Sequence, residues 1–571
     1  MTSSPSTSDL RSIRYGEGCF WISRIVHCIE KYWIVLCIGL VAIASCRIVS
    51  TYDSLSLTAD EPSHLACGMQ YVANHTYNYD PKNLPLSRAV QALGPYLIGV
   101  RPVGLSDGAM EGLAILSHAR NFDRTVFLMR LGNLPFFLLA CLAVAAWSYH
   151  SFGRMLAVAS TGLFTLLPTV LADSGLGTTD MALGATVAAA FVSAILWAET
   201  PTVPRSLLFG FCTALAFLSK ATALGYVPAT LGLTLIAYCG ARRPSWQEVR
   251  QLATERAATF ALACTVTVVL MWAAYGFTFG MVPGKSYSLP APQFFVGMRE
   301  VFKHVKDGHP AFLLGESRRT GWWYYYPVAL LVKTPIAFLL LSLLGVIVCV
   351  RERARPAFLL PLAFCAGILL PALNSRIDIG IRHIEPIYIG LSIVAAVGLL
   401  RLISWARSSI GFGVAGFALV AWMTVSVAIY HPDYLAYFNA FAGKHPENIL
   451  VDSNYDWGQD LKLLAHHFHQ LGVTKFTMSS IGGDRGFAYL ESWYGLPKMK
   501  VLDPITPSPG WNVVRPTIDK SYRSTVLHGA SGVIPWYDRM PPTERVGSLI
   551  LFYIPSQNES QETRSSPQSP R

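Results

Sequence analysis

The sequence predicts a polytopic α-helical membrane protein, with about eleven transmembrane helices followed by a C-terminal extracytoplasmic α/β domain. Three observations predict it. The 571 residues are 52% hydrophobic and only 14% charged, whereas soluble chains carry about 25% charged residues. The mean hydropathy is +0.39. Apolar runs of bilayer length recur, near 33–50, 126–147, 155–171, 181–198, 206–218, 222–239, 257–277, 326–350, 357–373, 384–400 and 411–430, each able to cross as a helix.

Each part of that layout has a local reason. About 30 polar or amphipathic residues precede the first run, which reads as an uncleaved anchor. Basic residues set the orientation. With residues 1–32 in the cytoplasm (Arg11, Arg14, Arg24, Lys31), the inner loops carry Arg154, Arg205, Arg242, Arg243, Arg250, Arg256, Arg351, Arg353, Arg355, Arg401 and Arg407. The net charge of +11 is then a loop property and not a nucleic-acid footprint. The 11 cysteines show no CxxC or zinc spacing, so neither a disulfide framework nor a structural zinc site is indicated. The layout divides into a transmembrane domain over 33–430, expected to be catalytic, an extracytoplasmic α/β domain over 431–555 and a Ser-, Gln- and Pro-rich tail over 556–571 expected to be disordered. In the α/β domain, strands are expected at Ile449 to Val451 and Lys475 to Ser480. A helix is expected from Asp456 to Leu471, opened by an Asp456–Gln459 capping box.

This orientation gathers the ionisable residues on the outer side, in 51–125, 278–325, the turns near Asp173 to Asp180, Lys220 and Asn374 to His383, and everything after 430. A transporter places such groups near the midplane on repeated broken helices, and no internal repeat is visible. Asp60-Glu61 follows the first span and reads either as a solvated acidic turn or as a catalytic or ion-binding pair. Ser87 to Leu93 reads as an amphipathic interfacial stretch. Asp180 is either a helix-end carboxylate or a second site acid. Trp322 to Tyr326 fits an interfacial aromatic belt or the wall of a lipid or sugar site. The embedded Lys333 either snorkels or meets an anion. Arg382-His383, before an apolar helix on the outer side, suits a phosphate. Asp452, Ser453 and Asn454 sit where a strand end meets a ligand.

In order along the chain, these pieces resemble the GT-C glycosyltransferases, the branch with protein O-mannosyltransferases and the lipid A aminoarabinose transferase. The resemblance runs over roughly residues 30–475. It rests on Asp60-Glu61, Pro85-Leu86, Thr178-Thr179-Asp180, Leu218-Ser219-Lys220, His309 with Leu314-Gly315-Glu316, Tyr325-Tyr326-Pro327 through Lys333-Thr334-Pro335, and Gly380-Ile381-Arg382-His383. Asp452 to Asp460 is similar to a bacterial subgroup motif. Where many relatives have a His- or Lys-Pro-Pro-Leu motif, this chain has Asn83-Leu84-Pro85-Leu86, which leaves Lys82 or Lys333 as the substitute cation.

The resemblance implies transfer of a sugar, with inversion, from a polyprenyl or dolichyl phosphate to a hydroxyl of protein, lipid or glycan. It implies a multi-pass location in the cell (inner) membrane with a periplasmic or extracellular active site, or in the ER membrane of a eukaryote. Asp60 is then the base, with Glu61 and Asp180 positioning the acceptor or holding a divalent cation. Arg382, His383 and Lys333 meet the donor phosphate, and His309, Glu316, Lys220 and Asp452 line the substrate site. The rival readings are a lipid-carrier flippase and a non-catalytic glycan-binding membrane protein.

Overall fold

In the computed structural model, residues 20–282, 286–407, 409–481, 486–527, 529 and 532–555 are described, with side chains from residue 27 except that of residue 407. The polar tail over 556–571 and the basic residues Arg11 and Arg14 lie outside them. Every apolar run is helical. The first helix among the described residues spans Phe20–Val49 and so includes residues ahead of its apolar run. The 240–256 loop is cut short, because Ser245 and Glu248 form a capping box that starts the helix at Trp246.

Two of the runs are bent pairs. Arg154–Thr165 meets Pro168–Gly175 at 66°, and Tyr325–Lys333 meets Ile336–Arg351 at 118°. Pro168 and Pro335 follow the breaks, where a proline lacks the N–H that would continue the ladder. Among the described residues, seven helices are long and apolar enough to cross a membrane, or up to nine with each bent pair counted as one span. The helices Val203–Ser219 and Pro356–Ala372 have 17 residues each. At 1.5 Å per residue that is about 25 Å, less than a hydrocarbon core of about 30 Å.

Small residues let the central helix Ile387–Ser404 sit close to its neighbours. A Cβ on Gly345 would lie 1.9 Å from the Val394 carbonyl oxygen, and one on Gly398 would lie 2.2 Å from that of Leu341. Close backbone approach of this kind is how helices associate in a solvent as apolar as their side chains. Gly345→Ala should therefore lower the thermal midpoint in detergent, since overpacking costs about 1–3 kcal/mol against about 0.5–1 kcal/mol of helix propensity gained. Gly39→Ala, with nothing within 4 Å of its Cβ, should leave the midpoint unchanged or raise it.

The helix Pro85–Leu97 is polar inside and apolar outside. Ser87, Arg88 and Gln91 are buried, while Leu93 and Leu97 are exposed. This is the orientation that a helix lying against lipid requires.

The stretch 431–460 differs from the expected layout. Tyr434, Leu435, Phe438, Leu450, Tyr455 and Trp457 belong to the helical core, and the separate α/β core starts at Leu461 with Leu464, Phe468, Phe476, Val513 and Leu551. The packing boundary thus lies about thirty residues beyond the end of the last apolar run. Ile449 to Val451 is not a strand. It links two 3-10 turns, Pro446–Asn448 and Asp452–Asn454, with Leu450 and Val451 buried.

The following helix is Leu461–Gln470, later than expected, because the polar atoms of the proposed capping box are used elsewhere. Asp456 accepts from Gly458 N, Thr517 N and Arg515, and Gln459 accepts from Trp457 N. The five-stranded sheet is mixed. Lys475–Met478 lies parallel between Lys498–Val501 and Gly510–Val514. Leu549–Ile554 and then Glu544–Val546 add antiparallel beyond Gly510–Val514.

Candidate active site

The site is built around one guanidinium. Arg382 lies in the 3-10 turn Ile381–Ile384, just before the central helix. Its Nη2 donates to Asp60 Oδ2 at 3.3 Å and its Nη1 to Asp180 Oδ2 at 3.4 Å. Nε donates to Ser453 Oγ at 3.0 Å, and the guanidinium lies 4.0 Å from the centroid of the Trp457 ring. Such a cation–ring contact holds an Arg by its face while leaving its edge N–H groups free to bond. Lys220 Nζ donates to the other Asp180 oxygen at 2.5 Å. Four distant segments thus converge on two carboxylates and two cations. The carboxylates differ in access, since the Asp60 side chain is 43% exposed and that of Asp180 0%. Only Asp60 faces an incoming molecule.

Asp60 ends a loop pinned from the far end of the chain. Ser56 N donates to Gln459 O at 2.9 Å and Ala59 N to Trp457 O at 3.0 Å. Directly after Asp60, the helix Glu61–Asn74 starts with Pro62 in its first turn, where a missing N–H costs nothing.

Glu61 points away from the site chemistry. Its oxygens accept from Arg130 Nε and Nη2, both at 2.9 Å, from Thr58 N at 2.8 Å and from Gly177 N at 2.7 Å. Both side chains of the Glu61–Arg130 pair are 0% exposed. Burial alone would raise the Glu61 carboxyl; Arg130 and the two N–H groups outweigh it and hold it below the usual range. Arg130 also donates to the Tyr52, Leu55 and Ser56 carbonyls, which makes the pair a strut under the loop that carries Asp60. Glu61 keeps no lone pair for a cation, and Asp180 is taken by Lys220 and Arg382. Among the described residues, no group of three His, Cys, Asp or Glu is placed to hold a metal ion. The donor set does not fit the expected Glu61–Asp180 cation site.

Lys333 is also placed elsewhere, against backbone carbonyls. Its Nζ donates to the Leu435, Tyr437 and Asn454 oxygens at 2.7, 2.6 and 2.6 Å. Lys82 pairs with Asp80 at 3.7 Å. Asp80 in turn accepts from Arg88 at 2.6 Å, and although burial opposes ionisation, Arg88 holds the carboxyl down at about 2. Arg88 Nε donates to His64 Nδ1 at 2.8 Å, an arrangement only a neutral imidazole can accept. Burial, with Arg88 adding to it, pushes His64 down to about 3.

His383 stands beside Arg382 with its carbonyl bonded to Tyr226 Oη at 2.9 Å. Burial, then Lys220 and Arg382, push its imidazole well below the ordinary value, so it is neutral at pH 7. His309 bonds its own Pro310 carbonyl at 2.9 Å and is lowered by burial while lying in the fields of Asp60 and Arg382. Its ring lies 6.3 Å from that of Tyr522. Asp452, in a left-handed conformation at φ 61°, is pushed up to about 7 by burial against the pull of Arg382. Glu316 lies outside this group, exposed on a hairpin strand and paired with Arg318.

Arg130 and Trp457 were the residues sequence reasoning missed. The signal for Arg130 was present: an Arg inside an apolar run demands a buried partner. Nothing local marks Trp457 as a platform for an Arg 75 residues earlier.

No protein-family model and no curated sequence matches the chain. Among solved structures, it is similar to ArnT from Cupriavidus metallidurans bound to undecaprenyl phosphate. That likeness has 15% identity and a TM-score of 0.50, covering 91% of this chain and 97% of ArnT. ArnT in the apo state gives 17% identity and a TM-score of 0.48, with the same coverage. The oligosaccharyltransferase AglB from Archaeoglobus fulgidus, in complex with an inhibitory peptide and a dolichol-phosphate, gives 11% and 0.47, covering 95% of this chain and 75% of AglB. With its bent helix pairs and its C-terminal sheet, the chain shares the fold of that ArnT structure over nearly all of its length.

Proposed function

We propose that the protein transfers a glycosyl group from a polyprenyl or dolichyl phosphate to an acceptor hydroxyl at the outer face of its membrane, with inversion. The observation that carries this reading is the Arg382 bridge between an exposed Asp60 and a buried Asp180, in a fold shared with a protein bound to undecaprenyl phosphate. The outer-face assignment rests on the basic inner loops.

In the resting site, Asp60 is held by Arg382. A donor phosphate arriving from the bilayer competes for the same Nη2 and frees the carboxylate for the acceptor. Asp60 then takes the hydroxyl proton as the hydroxyl oxygen bonds the anomeric carbon. The anomeric C–O bond to phosphate breaks, and its electron pair leaves with the lipid phosphate. Arg382 stabilises the charge gathering there. Lys220 keeps Asp180 ionised, and Asp180 in turn orients Arg382. Neutral His383 adds polarity without adding charge. His309 and Asp452 belong to the acceptor side, since both lie in the field of Asp60. No step requires Glu61, Lys333 or a metal.

Purified protein incubated with a panel of polyprenyl-phosphate sugars should release lipid phosphate with at least one of them. No transfer with any donor overturns the reading in favour of a flippase or a glycan-binding protein. Arg382→Ala should both weaken donor binding and slow transfer, by about 10²–10³-fold in turnover. Separate KM and kcat values for the lipid donor check this.

A further inference from the structure

The break at Lys333-Thr334-Pro335 is filled by the stretch 435–454, and the two satisfy each other. Pro335 leaves the last helical carbonyls without their usual donors. Asn439 supplies replacements: its Nδ2 donates to Leu331 O at 2.6 Å and Thr334 O at 2.7 Å, and its backbone N to Val332 O at 2.9 Å. In return, Lys333 gives its three ammonium protons to three carbonyls of that stretch, while Phe438 covers the charge at 4.3 Å. Lys333 is 2% exposed, so these carbonyls and the Phe438 ring stand in for water around its ammonium.

The third carbonyl belongs to Asn454, whose side chain reaches the Arg382 turn. Asn454 Oδ1 accepts from Ile381 N at 2.9 Å, and Nδ2 donates to Tyr325 Oη at 2.9 Å. The neighbouring Ser453 accepts from Arg382 Nε and donates to Ile379 O at 2.7 Å. A continuous path therefore runs from the Lys333 ammonium through Asn454 and Ser453 to Ile379 and Ile381, just before Arg382, and to Arg382 itself. A buried ammonium held by three convergent carbonyls has one geometry, and it passes that geometry to whatever carries the carbonyls.

We infer that Lys333 is a positioning residue for Arg382, acting through the strap 435–454, and that it does not meet the donor phosphate. The inference rests on Arg382 as the group that receives the donor phosphate. Lys333→Met keeps the stem and removes the ammonium, leaving the strap carbonyls without their donor. It should raise the donor KM by about 10-fold or more with a smaller change in kcat, the signature of a misplaced binding group. Ser453→Ala keeps the clamp and cuts the hydroxyl's two bonds, from Arg382 Nε and to Ile379 O, and should raise donor KM by about 10-fold in a folded protein.

Undecaprenyl phosphate is the binding probe. In an Arg382→Ala background, Lys333→Met should change its affinity by less than about 2-fold, because the residue acts through Arg382. Equal losses in both backgrounds, or wild-type donor affinity in both Lys333→Met and Ser453→Ala, would overturn the inference. Amide exchange separates this from a failure of the proposed function. Exchange over 449–458 should quicken at least about 10-fold in Lys333→Met while the central helix stays protected. That readout holds even if the wild type binds no lipid phosphate, and unchanged exchange there sinks the clamp itself.

Discussion

Asp60→Asn should remove turnover by about 10²–10⁴-fold while leaving the fold and donor binding nearly intact. The amide keeps the shape of the carboxylate but cannot take the acceptor's proton. It also cannot destabilise the bundle much, because Asp60 is a half-exposed side chain whose one ion pair is to Arg382 at 3.3 Å, and Arg382 keeps Asp180, Ser453 and Trp457. Donor affinity should hold or improve slightly, since a competitor for the guanidinium has lost its charge. The measurement is single-turnover transfer from a lipid-linked donor, alongside thermal unfolding in the same detergent. Near-wild-type turnover in a stable Asp60→Asn protein would place the base elsewhere.

The neighbouring substitution should fail in a different way. Glu61→Gln should collapse stability, because it leaves the Arg130 guanidinium uncompensated at 0% exposure. Breaking one side of a buried ion pair costs about 3–5 kcal/mol, a large share of a total stability of about 5–15 kcal/mol. The expected readout is a sharp fall in folded yield and thermal midpoint, with activity per folded molecule preserved. Replacing both partners, as Glu61→Leu with Arg130→Met, should recover part of the loss because no charge stays buried alone. The pair also gives a sign to acid sensitivity. The Glu61 carboxyl is lowered on folding, so its contribution is full above the ordinary carboxylate pKa and is lost as pH falls through the depressed one. A Glu61→Gln protein with wild-type stability and no turnover would make Glu61 a reacting group and overturn the strut.

The helical architecture was legible because runs such as 181–198 and 411–430 carry no charge on any face, which only a membrane or a deep core tolerates. Their number as crossings was harder to read. The Lys333-Thr334-Pro335 break sits inside a single apolar run, and composition does not register a 118° turn. Asp60, Asp180, Lys220 and Arg382 stood out as charges at the ends of apolar segments. The partners of Glu61 and Lys333 did not stand out, since much of what they bind is backbone, and an N–H or a carbonyl has no letter in the sequence. The 431–460 strap was misplaced for a related reason. Its aromatic residues are spaced for neither helix nor strand, yet they fill the bundle as irregular chain.

The two hydrogen bonds from Ser56 and Ala59 to Gln459 and Trp457 set an order of events during biosynthesis. The segment that carries Asp60 enters the membrane early, while its backbone partners are some four hundred residues from being made. Contacts so far apart in sequence form late, after the loop between them has closed. Until then, the Asp60 loop has its Arg130 strut but not its Trp457–Gln459 edge. The segment that completes the helical core is therefore also the one that completes the surroundings of Asp60.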